Sequence, residues 1–120
     1  MSLIANAIQY LLKDSNDPKQ IQNFVNGEFV NSSSNDKINS EDPSVGEVWL
    51  QLPNSDEPDV DRAVDAATSA FENWSATSKE HRARLLNRVA DSIEANADAL
   101  AQLESKDQGK TVKMARWVWC

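Results

Sequence analysis

Four groups of residues in this chain have the types from which chemistry could be built: the run Asp107-Gln108-Gly109-Lys110-Thr111, the lone Cys120, the lone His81, and the carboxylates Asp59, Asp61 and Asp65. Gly-Lys-Thr also closes the phosphate-cradling loop of nucleotide-binding proteins, but that loop needs a glycine five residues before its second glycine and a buried strand upstream. Position 104 is Glu104 and the preceding residues follow a helical period, so no phosphate site is expected. Gly109 reads instead as a helix-terminating glycine, because a residue without a Cβ enters the left-handed conformation freely. His81 has neither a second histidine nor a nearby cysteine, so it builds no zinc site and no triad. It belongs in the first turn of a helix, among Lys79, Arg82 and Arg84. The three aspartates read as a solvated helix face opposing Arg62, with each such pair worth about 0.2–0.5 kcal/mol. Cys120 has no partner for a disulfide or a metal, and lone cysteines behave as small hydrophobes. No catalytic and no cofactor-binding residue follows from these groups.

The elements that would carry these residues are legible in the periodicity. Residues 2–13 place Ile4, Ile8, Leu11 and Leu12 on one face of a short amphipathic helix, followed by a polar stretch over 14–20. Asn26-Gly27 between Phe24-Val25 and Phe29-Val30 supplies the two positive-φ positions of a tight hairpin turn. Residues 31–37 are too polar to bury and read as a loop. Asp42-Pro43 and Val45-Gly46 then make a turn into a strand over Glu47–Leu52, apolar on both sides of the pleat through Val48, Leu50 and Leu52 against Trp49. Such a strand is covered on both faces.

A helix should begin at Asp56, with Pro58 tolerated in a first turn whose amides lack partners. Its inward face would hold Val60, Ala63, Val64, Ala67, Phe71 and Trp74. A second start at Thr77-Ser78, with Thr77 and Glu80 as a capping box, carries Leu85, Leu86, Val89, Ile93, Leu100 and Leu103 inward to about Ser105. That single helix would be about 40 Å long. The two helices packed together would shelter part of the combined stripe. Five or six large side chains left uncovered represent on the order of 10 kcal/mol, at about 1.5–3 kcal/mol each. Further structure must therefore cover them.

At 120 residues the chain could form one domain, and it shows no internal repeat and no linker. Twelve basic against 19 acidic residues give a formal charge of -7, which repels phosphate backbones and anionic lipid surfaces. Neither a nucleic-acid nor a membrane partner is expected, and no apolar run approaches the roughly 18–20 residues of a membrane span. The first twenty residues lack the basic start and cleavage site of a secretory signal, and Asp14 and Asp17 oppose Lys13 and Lys19, against the pattern of a mitochondrial leader. With a single cysteine, a cytosolic (cytoplasmic) location is expected.

Phe24 to Val30 (FVNGEFV), Asp42 to Val48 (DPSVGEV) and Asp56 to Thr111, taken in order and at this spacing, resemble the N-terminal part of NAD-dependent aldehyde dehydrogenases. Asp42 stands where asparagine is commoner. The wording ESKDQGKT and NWSATSKEHRARLLNRVADSIEAN is most similar to the 2-aminomuconic semialdehyde dehydrogenase branch. The resemblance implies an α/β fold, represented here by a β-hairpin, a strand and two long amphipathic helices of an incomplete nucleotide-binding domain. It divides the chain into an extension over 1–20, a coenzyme-domain portion over 21–111 and a divergent or truncated tail over 112–120. For the tail, a frame change, an alternative exon or a shortened gene are the expected origins.

The family oxidises an aldehyde to a carboxylic acid: a thiolate attacks the aldehyde, hydride passes to NAD and the thioester is hydrolysed. Cys120 follows Trp117-Val118-Trp119 rather than the glycine-glutamine that precedes the family's cysteine, and the family's glutamate base also lies downstream. The chain alone is thus expected to bind no NAD and to be inactive. The resemblance further places a structural monovalent cation at Ser40 and Glu41, through backbone oxygens, and at the Asp107 carboxylate, with a fourth protein ligand beyond this chain and the alternative that Asp107 merely caps or bonds locally. The rival reading is a noncatalytic helical module that associates with full-length subunits, as a decoy during assembly.

Overall fold

The computed structural model of the protein describes residues 3–119. Helix α1 (Leu3–Leu12) leads through a polar bend into β1 (Lys19–Gln20), and a hairpin of β2 (Asn23–Val25) and β3 (Glu28–Val30) follows. After the serine-rich loop come β4 (Lys37–Asp42) and β5 (Glu47–Pro53), then α2 (Glu57–Ser75), α3 (Lys79–Ala95), α4 (Ala97–Gln108) and α5 (Val112–Trp119). The larger sheet has the order β1-β5-β4, with β1 parallel and β4 antiparallel to the central β5. The expected α/β character is present, with more helices than two.

The hairpin forms where the sequence asks for it. Asn26 and Gly27 take φ of 52° and 83°, the pair of left-handed residues that a two-residue turn requires. Phe24 and Phe29 face each other across the strands with ring centroids 5.0 Å apart in an edge-to-face pair.

Trp49 and Leu50 on β5 are both buried. They lie at a bulge: pairing passes from Ser40 opposite Leu50 to Glu41 opposite Val48, so Trp49 is an extra residue that re-aims the strand. The partner strand β4 was not expected. Its sequence KINSED has one apolar residue, Ile38, which stays half exposed, and it is strand only because β5 offers an unpaired edge.

Three further expectations need correction. The helix drawn from Thr77 to Ser105 is two helices. At Asn96 (φ -117°, ψ 13°) the backbone N–H turns back to the Ile93 carbonyl at 3.1 Å and the side-chain amide donates to the Ser92 carbonyl at 2.7 Å. A short amide side chain that competes for backbone carbonyls breaks the run. The cap of α3 is Ser78, whose hydroxyl accepts from His81 N–H at 3.1 Å, while Thr77 donates back to the Trp74 carbonyl; the Thr77/Glu80 box does not form. Finally, α2 and α3 do not pack along each other. α2 touches β2 and α3 touches α4. The stripe expected to be half sheltered stays open: Phe71 is 64% and Leu86 71% exposed, and Val60, Val64, Trp74 and Val89 are exposed as well.

The core lies elsewhere. α4 is its hub, in contact with α1, α5 and β4, and the buried apolar residues among those described are Ile8, Trp49, Leu50, Ala97, Ala101 and Ala115. Ala101 and Ala115 have no exposed surface, because small residues let helix backbones approach closely.

Candidate functional site

Two of the contacts between the sheet and the end of α4 fall on residues singled out in the sequence. The Ser40 hydroxyl on β4 donates to Asp107 Oδ1 in the last turn of α4, joining residues 67 apart in the chain. Glu41, beside the bulge, is exposed. The structure thus brings Ser40 and Asp107 together through a hydrogen bond between strand and helix end. Among the described residues no group of three or more His, Cys, Asp or Glu gathers in metal-binding geometry. The hydroxyl and carboxylate that do meet are hard oxygen donors, of the kind that suits an alkali cation and not zinc.

The second of these contacts involves Gly109. It ends α4 in the left-handed conformation at φ 73°, with its N–H on the Ser105 carbonyl at 2.9 Å, as the sequence implies for a capping glycine. A Cβ at this position would lie 2.8 Å from Cγ of Pro43, so the turn after β4 sits directly on the helix end. The exit from α4 is tied twice more. Ser105 Oγ donates to the Lys110 carbonyl at 2.6 Å, and Lys110 Nζ pairs with Glu104 Oε1 at 2.6 Å. Gly109-Lys110-Thr111 is therefore committed to a helix end and the start of α5, where Thr111 Oγ1 accepts from Met114 N–H at 3.3 Å.

The β4–β5 turn is shaped by Asp42. Ser44 donates to Asp42 Oδ1 through its hydroxyl at 2.6 Å and its N–H at 2.9 Å, and the Asp42 carbonyl receives Gly46 N–H at 2.7 Å. The Ser44 hydroxyl first, then the Ser44 N–H and the charge of Lys106, hold the Asp42 carboxyl below its usual value. Lys106 Nζ also lies 5.3 Å above the Trp49 ring, a cation–π contact across the helix–sheet junction. The indole N–H of Trp49 is buried without an acceptor among the described residues. Trp49 borders a cleft of about 120 Å³ lined in part by Lys13, Asp17, Asp42, Glu47 and Lys106.

A separate knot fixes the start of α2. Asp59, read as part of a solvated face, is buried at 5% exposure. Its carboxylate accepts from the Ser32 hydroxyl, from Ser33 N–H at 3.0 Å and from Asp56 N–H at 3.3 Å, and it pairs with Arg62. These donors, the Ser32 hydroxyl foremost, hold its carboxyl far below the ordinary range against the opposing effect of desolvation. The signal was present in the sequence: an acid three residues after the capping Asp56 reaches back to that residue's amide. Asp61 and Asp65 are exposed as expected, and so is His81, in the first turn of α3. Cys120 lies outside the described residues. Among those residues no helix is long and apolar enough to cross a membrane.

A hairpin and a small mixed sheet capped by amphipathic helices, with the helix end latched onto the strand turn, define a partial α/β fold. Residues 29–117 match the model of the aldehyde dehydrogenase family, and the chain belongs to that family. It is 48% identical over 96 residues to 2-aminomuconic semialdehyde dehydrogenase of Homo sapiens, a match spanning 80% of this chain and 19% of that protein. Among solved structures, it resembles an NAD-dependent aldehyde dehydrogenase from Sinorhizobium meliloti (TM-score 0.79, 36% identity, 88% of this chain and 23% of that one). It also resembles betaine aldehyde dehydrogenase of Staphylococcus aureus in complex with NAD+ (TM-score 0.77, 31% identity, 82% and 20%). The chain thus spans about a fifth of the length of these relatives.

Proposed function

We propose that this chain is the N-terminal portion of an oxidoreductase that oxidises an aldehyde, of the semialdehyde kind, to a carboxylic acid with NAD. The observation that carries the reading is the 48% identity to 2-aminomuconic semialdehyde dehydrogenase of Homo sapiens. NAD, when bound in the assembled enzyme, accepts the hydride. The residues of this chain do no bond chemistry; they form the α4 hub and its latched sheet, against which the rest of a coenzyme domain is built. By itself the 120-residue chain binds no NAD and turns over no aldehyde. The enzyme works in the cytosol, where a chain with one cysteine needs no disulfide.

Ser40, Glu41 and Asp107 are the contribution of this chain to a monovalent-cation site, supported by the contact between Ser40 and Asp107. A second reading, association of the chain with full-length subunits as a noncatalytic module, is favoured by the exposed faces of α2 and α3.

The test joins the 120 residues to the remaining segment of a 2-aminomuconic semialdehyde dehydrogenase and follows NADH absorbance with NAD and a semialdehyde. Turnover by the fusion with silence from the chain alone is expected; an inactive, well-folded fusion, or turnover by the chain alone, contradicts the reading. Co-elution of the isolated chain with full-length enzyme would select the second reading.

A further inference from the structure

The structure assigns to Gly109 the placing of Asp107 against Ser40: the absence of a side chain at this one position lets the end of α4 sit on Pro43, and that seat sets the distance between helix carboxylate and strand hydroxyl. The inference rests on the cation reading of Ser40, Glu41 and Asp107, and it deepens it by naming a positioning residue that touches no ion.

Asp107 lies in the last turn of α4, two residues before Gly109, and Ser40 lies on β4, three residues before Pro43. The chain therefore makes two contacts between the same pair of segments, Ser40 with Asp107 and Pro43 with Gly109. The hydrogen bond is a side-chain contact between a half-buried hydroxyl and an exposed carboxylate and has little stiffness of its own. The second contact is backbone against a rigid ring, and it leaves no slack: a Cβ on Gly109 would meet Pro43 Cγ at 2.8 Å. Neither partner can yield by turning a flexible side chain. Pro43 is also held in place, because the turn it occupies is closed by Gly46 N–H on the Asp42 carbonyl and by Ser44 on the Asp42 carboxylate. Relief of a clash must come from moving α4 away from β4, which carries Asp107 away from Ser40.

The conformational and steric demands at Gly109 separate experimentally. Its φ of 73° disfavours most residues, but asparagine tolerates the left-handed region while still bearing a Cβ. Gly109→Asn thus keeps the cap and introduces the clash. Pro43→Ala removes Cγ and leaves Cβ, which a Gly109 Cβ would meet at 3.5 Å, an ordinary contact.

The experiment uses the full 120-residue chain, with sodium chloride as the probe read by ²³Na line broadening, and the Asp107 carboxylate ¹³C shift read with and without Ser40→Ala. In the unaltered chain, Ser40→Ala is expected to move the Asp107 signal and to weaken sodium binding. Gly109→Asn is expected to raise the sodium midpoint by roughly tenfold or more, the scale on which supporting residues act on metal sites, and to make the Asp107 signal indifferent to Ser40→Ala. Adding Pro43→Ala to Gly109→Asn is expected to restore both. An unchanged midpoint together with a still-coupled signal in Gly109→Asn would overturn the assignment, as would a loss of far-UV helical signal that Pro43→Ala does not relieve. If sodium does not bind the unaltered chain at all, the cation reading fails, and the coupling of the Asp107 signal to Ser40 still judges the role of Gly109.

Discussion

α4 has a weaker apolar period than the α2 and α3 of the neighbouring arm, yet it is the one that buries its face. α4 is short, carries alanines at 97 and 101, and finds α1, α5 and β4 close enough to bury them completely or nearly so. α2 and α3 carry larger side chains, including Val64, Phe71, Trp74, Leu86 and Val89, and leave them in contact with solvent. Burial here is therefore set by what lies opposite a helix and not by the strength of its own apolar period. A local sequence pattern announces that a face wants cover, but the supplier of that cover is a tertiary fact.

The sharpest way to break this comparison is Phe71→Ala measured twice. In the isolated chain Phe71 is 64% exposed, and the expected change in stability is within about 0.5 kcal/mol. In the fusion with the remaining segment of a relative, where the face is expected to be covered, the expected cost by denaturant titration is about 3–5 kcal/mol. Equal costs in both settings would erase the distinction between the two regions. Ala101→Leu is the complementary change. At a site with no exposed surface it is expected to cost about 1–3 kcal/mol by overpacking, already in the isolated chain.

The two regions share a response to acid. The Asp59 knot and Asp42 both have carboxyls whose folded values are depressed, so their contribution is fully present above the unfolded value of about 3.9. It is lost as pH falls through the folded values. Amide exchange at Ser33 and Asp56 should accelerate as the pH is taken down from about 4, after correction for intrinsic rates, and Asp59→Asn should flatten that acid response. A smaller effect is expected in the hairpin. Gly27→Ala meets open space but must hold φ at 83°, at a cost of roughly 1 kcal/mol, visible as faster exchange across β2 and β3. The smallest is Asp98→Asn. Its ion pair with Arg116 at 2.7 Å is exposed on both sides and should contribute no more than about 1 kcal/mol.

Much of the framework was legible because it depends on local chemistry. Asn26-Gly27 names its turn, Gly109 names a helix end, and the doubly apolar run from Val48 to Leu52 names a covered strand. What escaped depends on partners distant in sequence. β4 has almost no apolar signal and owes its conformation to the edge of β5. The burial of Asp59 requires Ser32 and Ser33, which lie across the sheet connection. The close seat of Gly109 on Pro43 is invisible to periodicity, since a glycine that caps and a glycine that also clears space look alike in sequence. Asn96 lay in view, but its effect on the helix was outweighed by an apolar period that continues on both sides. Of the candidate site, family resemblance alone names Ser40 and Asp107 together; the hydrogen bond between their side chains has no signal in the sequence.

Residue-resolved hydrogen exchange on the isolated 120-residue chain and on the same chain fused to the remainder of a relative tests most directly that α2 and α3 await cover from beyond these residues. Slow exchange in β5 and α4 of the isolated chain, fast exchange through α2 and α3, and a rise in α2 and α3 protection to the level of α4 in the fusion are the predicted result. Protection of α2 and α3 equal to that of β5 and α4 in the isolated chain, melting as one cooperative monomer, would contradict it.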